Sequence, residues 1–418
     1  MIVPMVASAG NQDLYGFGIR GPGLGGAAIA FPKGYEAVYY NPAGLTIGGE
    51  RSFSVSFSAT TFQLEVLSPR PQAVKVVADE DSISGITLGI NVMLPLNGVL
   101  KDRIAIGLGL YIPTETLLSA RIPMPYTPQF SLVADRARAL SIQAGIGIRI
   151  TDWLRIGAGV RVLAGLRGFI DAAPNEFGNL GSQVEDELLA AYSGVAGILA
   201  NPHPTVAVAI VWRGALGAEF SLPVKANLGD LPLVVPELQI GGETVWDPQV
   251  FALHIGWKPI DEISFEVGVS WKQWSAFPVP IINATAGLPP QEPIEMLDTI
   301  VPRVGIESEH IIDDWRVVGR IGYAMEPSPV GPQRGRHNFL DSDRHIASAG
   351  FGFGWQSEGR FRVDFDLYGQ VHVLEERYFE KTFLDEGNIA IISDNAGAPW
   401  IGAKGTIVSF GAGIEVQL

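Results

Sequence analysis

The 418 residues include no cysteine. That removes disulfide frameworks, thiolate metal sites and cysteine nucleophiles. Basic residues are in deficit: 29 Lys and Arg face 44 Asp and Glu, a formal net charge of −15. Phosphate backbones are held by Lys/Arg patches, so no nucleic-acid partner is expected. Charge of either sign is scarce, at 17% of residues against 47% hydrophobic. That composition excludes disorder and is apolar for a soluble enzyme. A membrane helix is also missing. The longest stretch free of Asp, Glu, Lys and Arg, 188–212, is broken by Asn201-Pro202-His203-Pro204, and prolines there destroy a helix.

Catalytic motifs are absent as well. There is no G-x-S-x-G elbow and no H-E-x-x-H. The histidines at 203, 254, 310, 337, 345 and 372 lack metal-ligand spacing. Asp341-Ser342-Asp343 starts like an EF-hand but lacks its glycine and closing glutamate. Gly16-Phe17-Gly18-Ile19-Arg20-Gly21 spells a dinucleotide fingerprint, yet it follows no strand and opens no βαβ unit. No catalytic residue, metal or cofactor is expected, and the chain is read as a non-enzyme.

What is present is alternation. Along 360–373, Phe361, Val363, Phe365, Leu367, Val371 and Val373 share one face, while Arg360, Arg362, Asp364, Asp366, Gln370 and His372 share the other. That is one strand with an apolar and a polar side. The pattern recurs and predicts strands near 51–63, 83–96, 103–113, 138–151, 153–170, 203–213, 214–228, 248–259, 261–274, 303–312, 314–325, 345–357, 359–376 and 405–418. Every second connection is short, as at Thr151-Asp152, Arg213-Gly214 and Asp313-Asp314. The others are long. Loops sorted this way, with an even strand count, predict an all-β, transmembrane antiparallel β-barrel of about 14 strands spanning 51–418. Trp153, Trp257, Trp271, Trp274, Trp315 and Trp355 fall near strand ends, as an interfacial girdle requires.

Many lumen-facing positions are glycine, including Gly107, Gly109, Gly145, Gly147, Gly157 and Gly159. Small residues leave room inside. Segment 10–50 is rich in glycine, has neither helix nor strand period, and ends in the turn Asn41-Pro42-Ala43-Gly44. It is read as a hatch filling the lumen. Residues 1–9, with Ala7-Ser8-Ala9, read as the remnant of a signal peptide. In the loop after the fifth strand, Ser182 and Glu185 fit a capping box and Leu188, Tyr192, Val195 and Leu199 recur at helical spacing. They predict a helical insertion over 182–200 whose apolar face offers a loop hydrophobic groove.

Four segments together resemble the FadL/TodX family of outer-membrane transporters for long-chain fatty acids and hydrocarbons. Asn41-Pro42-Ala43 is similar to the family's hatch motif. Ser270-Trp271-Lys272-Gln273-Trp274-Ser275, the run from Asp314-Trp315 through Gly322-Tyr323 to Ser328-Pro329-Val330, and 341–352 resemble later family segments in the same order. The resemblance implies a fourteen-stranded barrel in the bacterial outer membrane, a hatch gating at Asn41, Pro42, Ala43 and Gly44, and a lateral opening at an inward strand kink. Gly107, Gly109 and Pro113 are the expected place for that kink. It implies passive uptake of a hydrophobic small molecule, caught by outer loops and released sideways. Outer-membrane lipid and lipopolysaccharide, the assembly machinery and a monomeric state complete the expectation, although Leu418 stands where such barrels commonly end in an aromatic. The alternative is a barrel of the same family serving as a protein-binding, secretion-accessory cargo shuttle.

Overall fold

The computed structural model describes residues 11–48, 51–69, 82–114, 128–130, 132–133, 139–174, 180–226, 238–278, 281–283, 294–333, 337–357, 361–381 and 397–418. Three short helices come first: α1 (Asn11–Tyr15), α2 (Arg20–Gly23) and α3 (Ala37–Tyr40). The strands are β1 (Arg51–Leu67), β2 (Ile83–Met93), β3 (Ile104–Pro113), β4 (Ser141–Arg149), β5 (Leu154–Pro174), β6 (Leu180–His203), β7 (Val206–Arg213), β8 (Leu216–Ala226) and β9 (Leu238–Asp247). They continue with β10 (Val250–Ile260), β11 (Ile263–Lys272), β12 (Ile281–Asn283), β13 (Thr299–Ile312), β14 (Trp315–Glu326), β15 (Arg344–Ser357), β16 (Phe361–Glu380) and β17 (Trp400–Gln417).

Fourteen of these close a wall. The ring runs β1 to β7, then β10, β11 and β13 to β17, every neighbour antiparallel, and β17 pairs back onto β1 from Ser52↔Gln417 to Leu67↔Gly402. A closed ring leaves no unpaired strand edge for lipid to meet. β8, β9 and β12 lie off the wall as a small sheet, with β8 running parallel to the outer part of β5.

The wall is inside-out. On β16, Phe365 is 43% exposed and Asp364 2%. Apolar residues face outward and polar residues inward, as lipid outside and a filled lumen inside demand. Tight turns join β6 to β7, β10 to β11 and β13 to β14 at the rim where β1 begins and β17 ends, which assigns that rim to the periplasm. Trp153, Trp257, Trp315 and Trp355 point outward near it. Trp274 does not join this girdle: it is buried within the outer loops.

Two sequence expectations are corrected. The helix expected over 182–200 is the membrane strand β6. It pairs with β5 at every position from Leu154↔Ala200 to Pro174↔Leu180. The helical spacing and the capping box are local signals, and pairing to two neighbours overrides them. Conversely, 214–228 is no wall strand, because the chain leaves the barrel after Arg213 and forms β8 instead. The expected count of fourteen is met with one strand exchanged for another.

The wall is uneven in height. β2, β3 and β4 have 11, 10 and 9 residues, against 17 in β1 and 21 in β5. β1 pairs with β2 only as far as Thr60↔Ile83, and β5 with β4 only as far as Leu163↔Ser141. The described wall therefore dips on its outer side between β1 and β5.

Candidate functional site

Residues 11–48 fill the barrel. The glycines of the wall are the seat. A Cβ at Gly107 would stand 2.5 Å from the side chains of Leu45 and Val38, and one at Gly109 would strike the ring of Phe17. Gly157 on β5 faces the backbone of Pro42 and Ala43, and Gly197 on β6 faces the side chain of Asn41. Hatch and wall approach backbone to side chain with no space for a methyl.

The four expected gate residues come together in one turn. Asn41 has no exposed surface. Its Oδ1 accepts from the Ala43 amide at 3.1 Å, and its Nδ2 donates to the carbonyls of Ile29 at 3.2 Å and Ile198 at 3.4 Å. Pro42 opens the 3-10 turn Pro42–Thr46, where a missing amide proton costs nothing. Asn41 thus ties the hatch to itself and to β6.

Buried charge holds the rest. Glu36 accepts from three successive hatch amides, Ile19, Arg20 and Gly21, at 2.7 to 2.8 Å. Glu266 on β11 does the same for Ile29, Ala30 and Phe31 at 2.7 to 3.1 Å, while its Oε1 also meets His254 at 2.7 Å. Glu307 on β13 gathers Arg20, Lys33 and Arg320 at 2.7 to 2.9 Å. Higher in the lumen, Lys272 pairs with Asp13 at 2.7 Å and Glu326 at 2.6 Å. Asp364 pairs with Arg316 and Arg362.

Above the hatch lies an apolar cluster. Leu14 and Tyr15 of α1 join Phe130, Trp246, Trp274, Phe277, Ile294, Met296 and Phe339 from the outer segments. The rings of Trp246 and Trp274 are 5.6 Å apart, and Trp246 meets Phe277 edge-on at 5.6 Å. Sequence reasoning missed this cluster, since its members come from the hatch and four separate connections.

The expected loop groove does not form. On β6, alternation sends Tyr192 outward, 69% exposed, and buries Val195 and Leu199 against the hatch. Leu188 is also on β6, but its side chain lies outside the described residues. The expected kink is likewise absent at its assigned place. β3 pairs without interruption to β2 from Ala105 to Pro113 and to β4 from Ile104 to Tyr111. Gly107 and Gly109 are hatch sockets instead. Glu266 and Glu307 could have been suspected, as charged residues on the inward face of strongly alternating strands.

Among the described residues, the structure is a closed, inside-out barrel whose lumen is filled by an anchored plug with an apolar cluster above it, the architecture of a plugged outer-membrane barrel. The family model described as outer membrane protein transport protein (OMPP1/FadL/TodX) matches residues 1–372. The chain belongs to that family. It is a family of transporters of hydrophobic compounds across the bacterial outer membrane and not of enzymes. Among solved structures, a Pseudomonas aeruginosa FadL homologue is 14% identical, with TM-score 0.61, covering 99% of this chain and 98% of its own. The monoaromatic hydrocarbon channel CymD is 16% identical, with TM-score 0.53 and coverage of 97% and 98%. The Pseudomonas putida toluene transporter TodX is 13% identical, with TM-score 0.53 and coverage of 97% and 99%. These similarities establish the shared fold. No curated protein matches the sequence.

Proposed function

We propose that the protein takes up a hydrophobic small molecule passively, receives it in the apolar cluster over α1, and passes it sideways over the low wall of β2, β3 and β4. The observation that carries this reading is the layering of the lumen. An apolar mouth built on Trp246, Trp274 and Phe277 sits directly on a floor of paired charges and hydrogen-bonded backbone. An apolar solute is favoured in the first layer and opposed by the second, at ~0.8 kcal/mol per buried CH₂. A dozen methylenes supply roughly 10 kcal/mol gross, less several for association. Descent through the hatch would break the buried pairs of Glu307 and Lys272, so the open direction is lateral. Asn41, Pro42, Ala43 and Gly44 then hold the floor that turns the solute aside. Fatty acids and neutral hydrocarbons are both candidates at this level.

The test is uptake of labelled dodecane and dodecanoate by cells with and without the protein. The protein should raise uptake of at least one, and Trp274→Ala should cut that gain severalfold. Equal uptake with and without the protein rejects the reading.

A further inference from the structure

Beneath α1, a small cavity lies between the hatch and the wall. Its wall side carries Ser58, Thr60, Thr87, Tyr111, Tyr368 and Ser409. All six bear hydroxyls, and none of the hatch residues facing them, Gln12 and Tyr15 to Gly18, is charged. The sequence explains the concentration. β1 places Ser or Thr at every even position from Ser52 to Thr60, and even positions face inward. Barrel closure brings Ser409 opposite Thr60, and Tyr368 arrives from β16. Three of the hydroxyls satisfy one another: Thr60 donates to Ser409 at 2.9 Å, and Tyr368 lies 3.3 Å from the same oxygen.

Tyr111 is different. It stands on β3, in the low part of the wall, and is 2% exposed. Its hydroxyl finds no hydrogen-bond partner among the described residues. A buried hydroxyl left unmade is unfavourable, and such groups are normally answered by water or ligand. The cavity has room for about one water molecule. Tyr15 lines this cavity and also belongs to the apolar cluster above it. The cavity and the apolar cluster therefore adjoin at Tyr15.

We propose that the cavity under α1 is a headgroup subsite for an uncharged hydroxyl, so that the preferred cargo is a neutral amphiphile: an aliphatic alcohol or an alkylphenol. The inference rests on the uptake reading and narrows its substrate class. The hydroxyl of the ligand occupies the cavity, accepts from Tyr111 and donates to a neighbouring hydroxyl oxygen. Among the described residues no cationic side chain lines the cavity, so a carboxylate would go unbalanced there. Lys272, higher in the lumen, is already paired with Asp13 and Glu326. A plain alkane would leave Tyr111 unanswered. A site that hydrogen-bonds a ligand hydroxyl discriminates strongly against the analogue lacking it.

The experiment is equilibrium binding of labelled 1-dodecanol, dodecane and dodecanoate to the purified full-length protein at pH 8, each corrected for detergent alone. The wild type should bind dodecanol about tenfold more tightly than dodecane, the ratio one good hydrogen bond supplies. Dodecanoate should show no such advantage. Tyr111→Phe should erase most of the dodecanol preference and leave dodecane affinity unchanged. Thr87→Val, which removes a different hydroxyl, should lower the preference in the same direction and serves if Tyr111→Phe does not fold. Dodecanol affinity unaltered in both variants means that the cavity holds a structural water only, and overturns the inference. So does dodecanoate binding tenfold more tightly than dodecanol. Binding of dodecane with no preference for dodecanol defeats this inference alone, whereas failure of all three to bind defeats the uptake reading with it.

Discussion

Arg20 and Glu307 are 287 residues apart in sequence and joined by two hydrogen bonds in the lumen, Nε to Oε2 at 2.7 Å and Nη2 to Oε1 at 3.1 Å. Glu307 is buried and also meets Lys33 and Arg320. Glu307→Gln leaves three cations around a neutral amide. Removing one partner of a buried pair costs about 3–5 kcal/mol. The hatch around 19–36 should exchange its amide protons faster while the wall strands keep their protection. Single-barrel conductance in a planar bilayer should rise above that of the wild type. Unchanged exchange in the hatch would mean that the latch is dispensable.

Gly107 makes a second prediction. A side chain there points at Leu45 and Val38 of the hatch. Gly107→Leu should therefore unseat the hatch and lower thermal stability, by about 1–3 kcal/mol for overpacking. If Gly107 instead bordered an exit in the wall, uptake would fall with the melting temperature untouched. Adding Leu45→Ala to Gly107→Ala should recover part of the loss suffered by Gly107→Ala alone, because the two sites share one volume.

The alternation of β16 was legible because it is local: each residue's face follows from its parity, and lipid outside the barrel makes the parity apolar. The lumen glycines were legible for the same reason, as missing volume that something must fill. β6 was not. Leu188, Tyr192, Val195 and Leu199 fit a helix by spacing, and only pairing with β5 and β7 makes them a strand. The serine ladder of β1 is plain in the sequence, but its meeting with Tyr111 and Tyr368 depends on ring closure between distant segments. Trp274 looked like its neighbours in the girdle until the outer loops folded over it.

Asn41 is the hatch residue with the most to lose. Asn41→Ala removes the acceptor for Ala43 and the donor for Ile29 and Ile198. Loss of the cap costs ~1 kcal/mol, and the Ile29 carbonyl left unpaired in the interior adds about 1–3. Asn41→Asp keeps the acceptor and removes the donor, so it should be destabilised through Ile29 and Ile198 while the 42–46 turn stays capped. Chemical denaturation of both variants checks the order: wild type most stable, both variants clearly lower. A silent Asn41→Ala would show that the turn is held by Pro42 alone.

The last prediction concerns pH. Lys381 follows β16 in an outer segment, is 8% exposed, and donates to the carbonyl of His337. Burial pushes its pKa down from 10.5 to about 7, since a low-dielectric site disfavours the ammonium form. In the unfolded segment the amine keeps its ordinary value. Between pH 7 and 10.5 the unfolded form therefore binds the proton that the folded form has lost, and stability rises with pH across that window. Below pH 7 both forms carry the proton and the burial penalty is felt in full. The segments carrying Lys381 and His337 should thus hold more firmly at pH 9 than at pH 6.5, read as slower proteolysis of the outer loops. Lys381→Met has no proton to lose, so its cleavage rate, corrected for the protease's own pH response, should be flat over the same range. An equal pH slope in the variant would place the titrating group elsewhere.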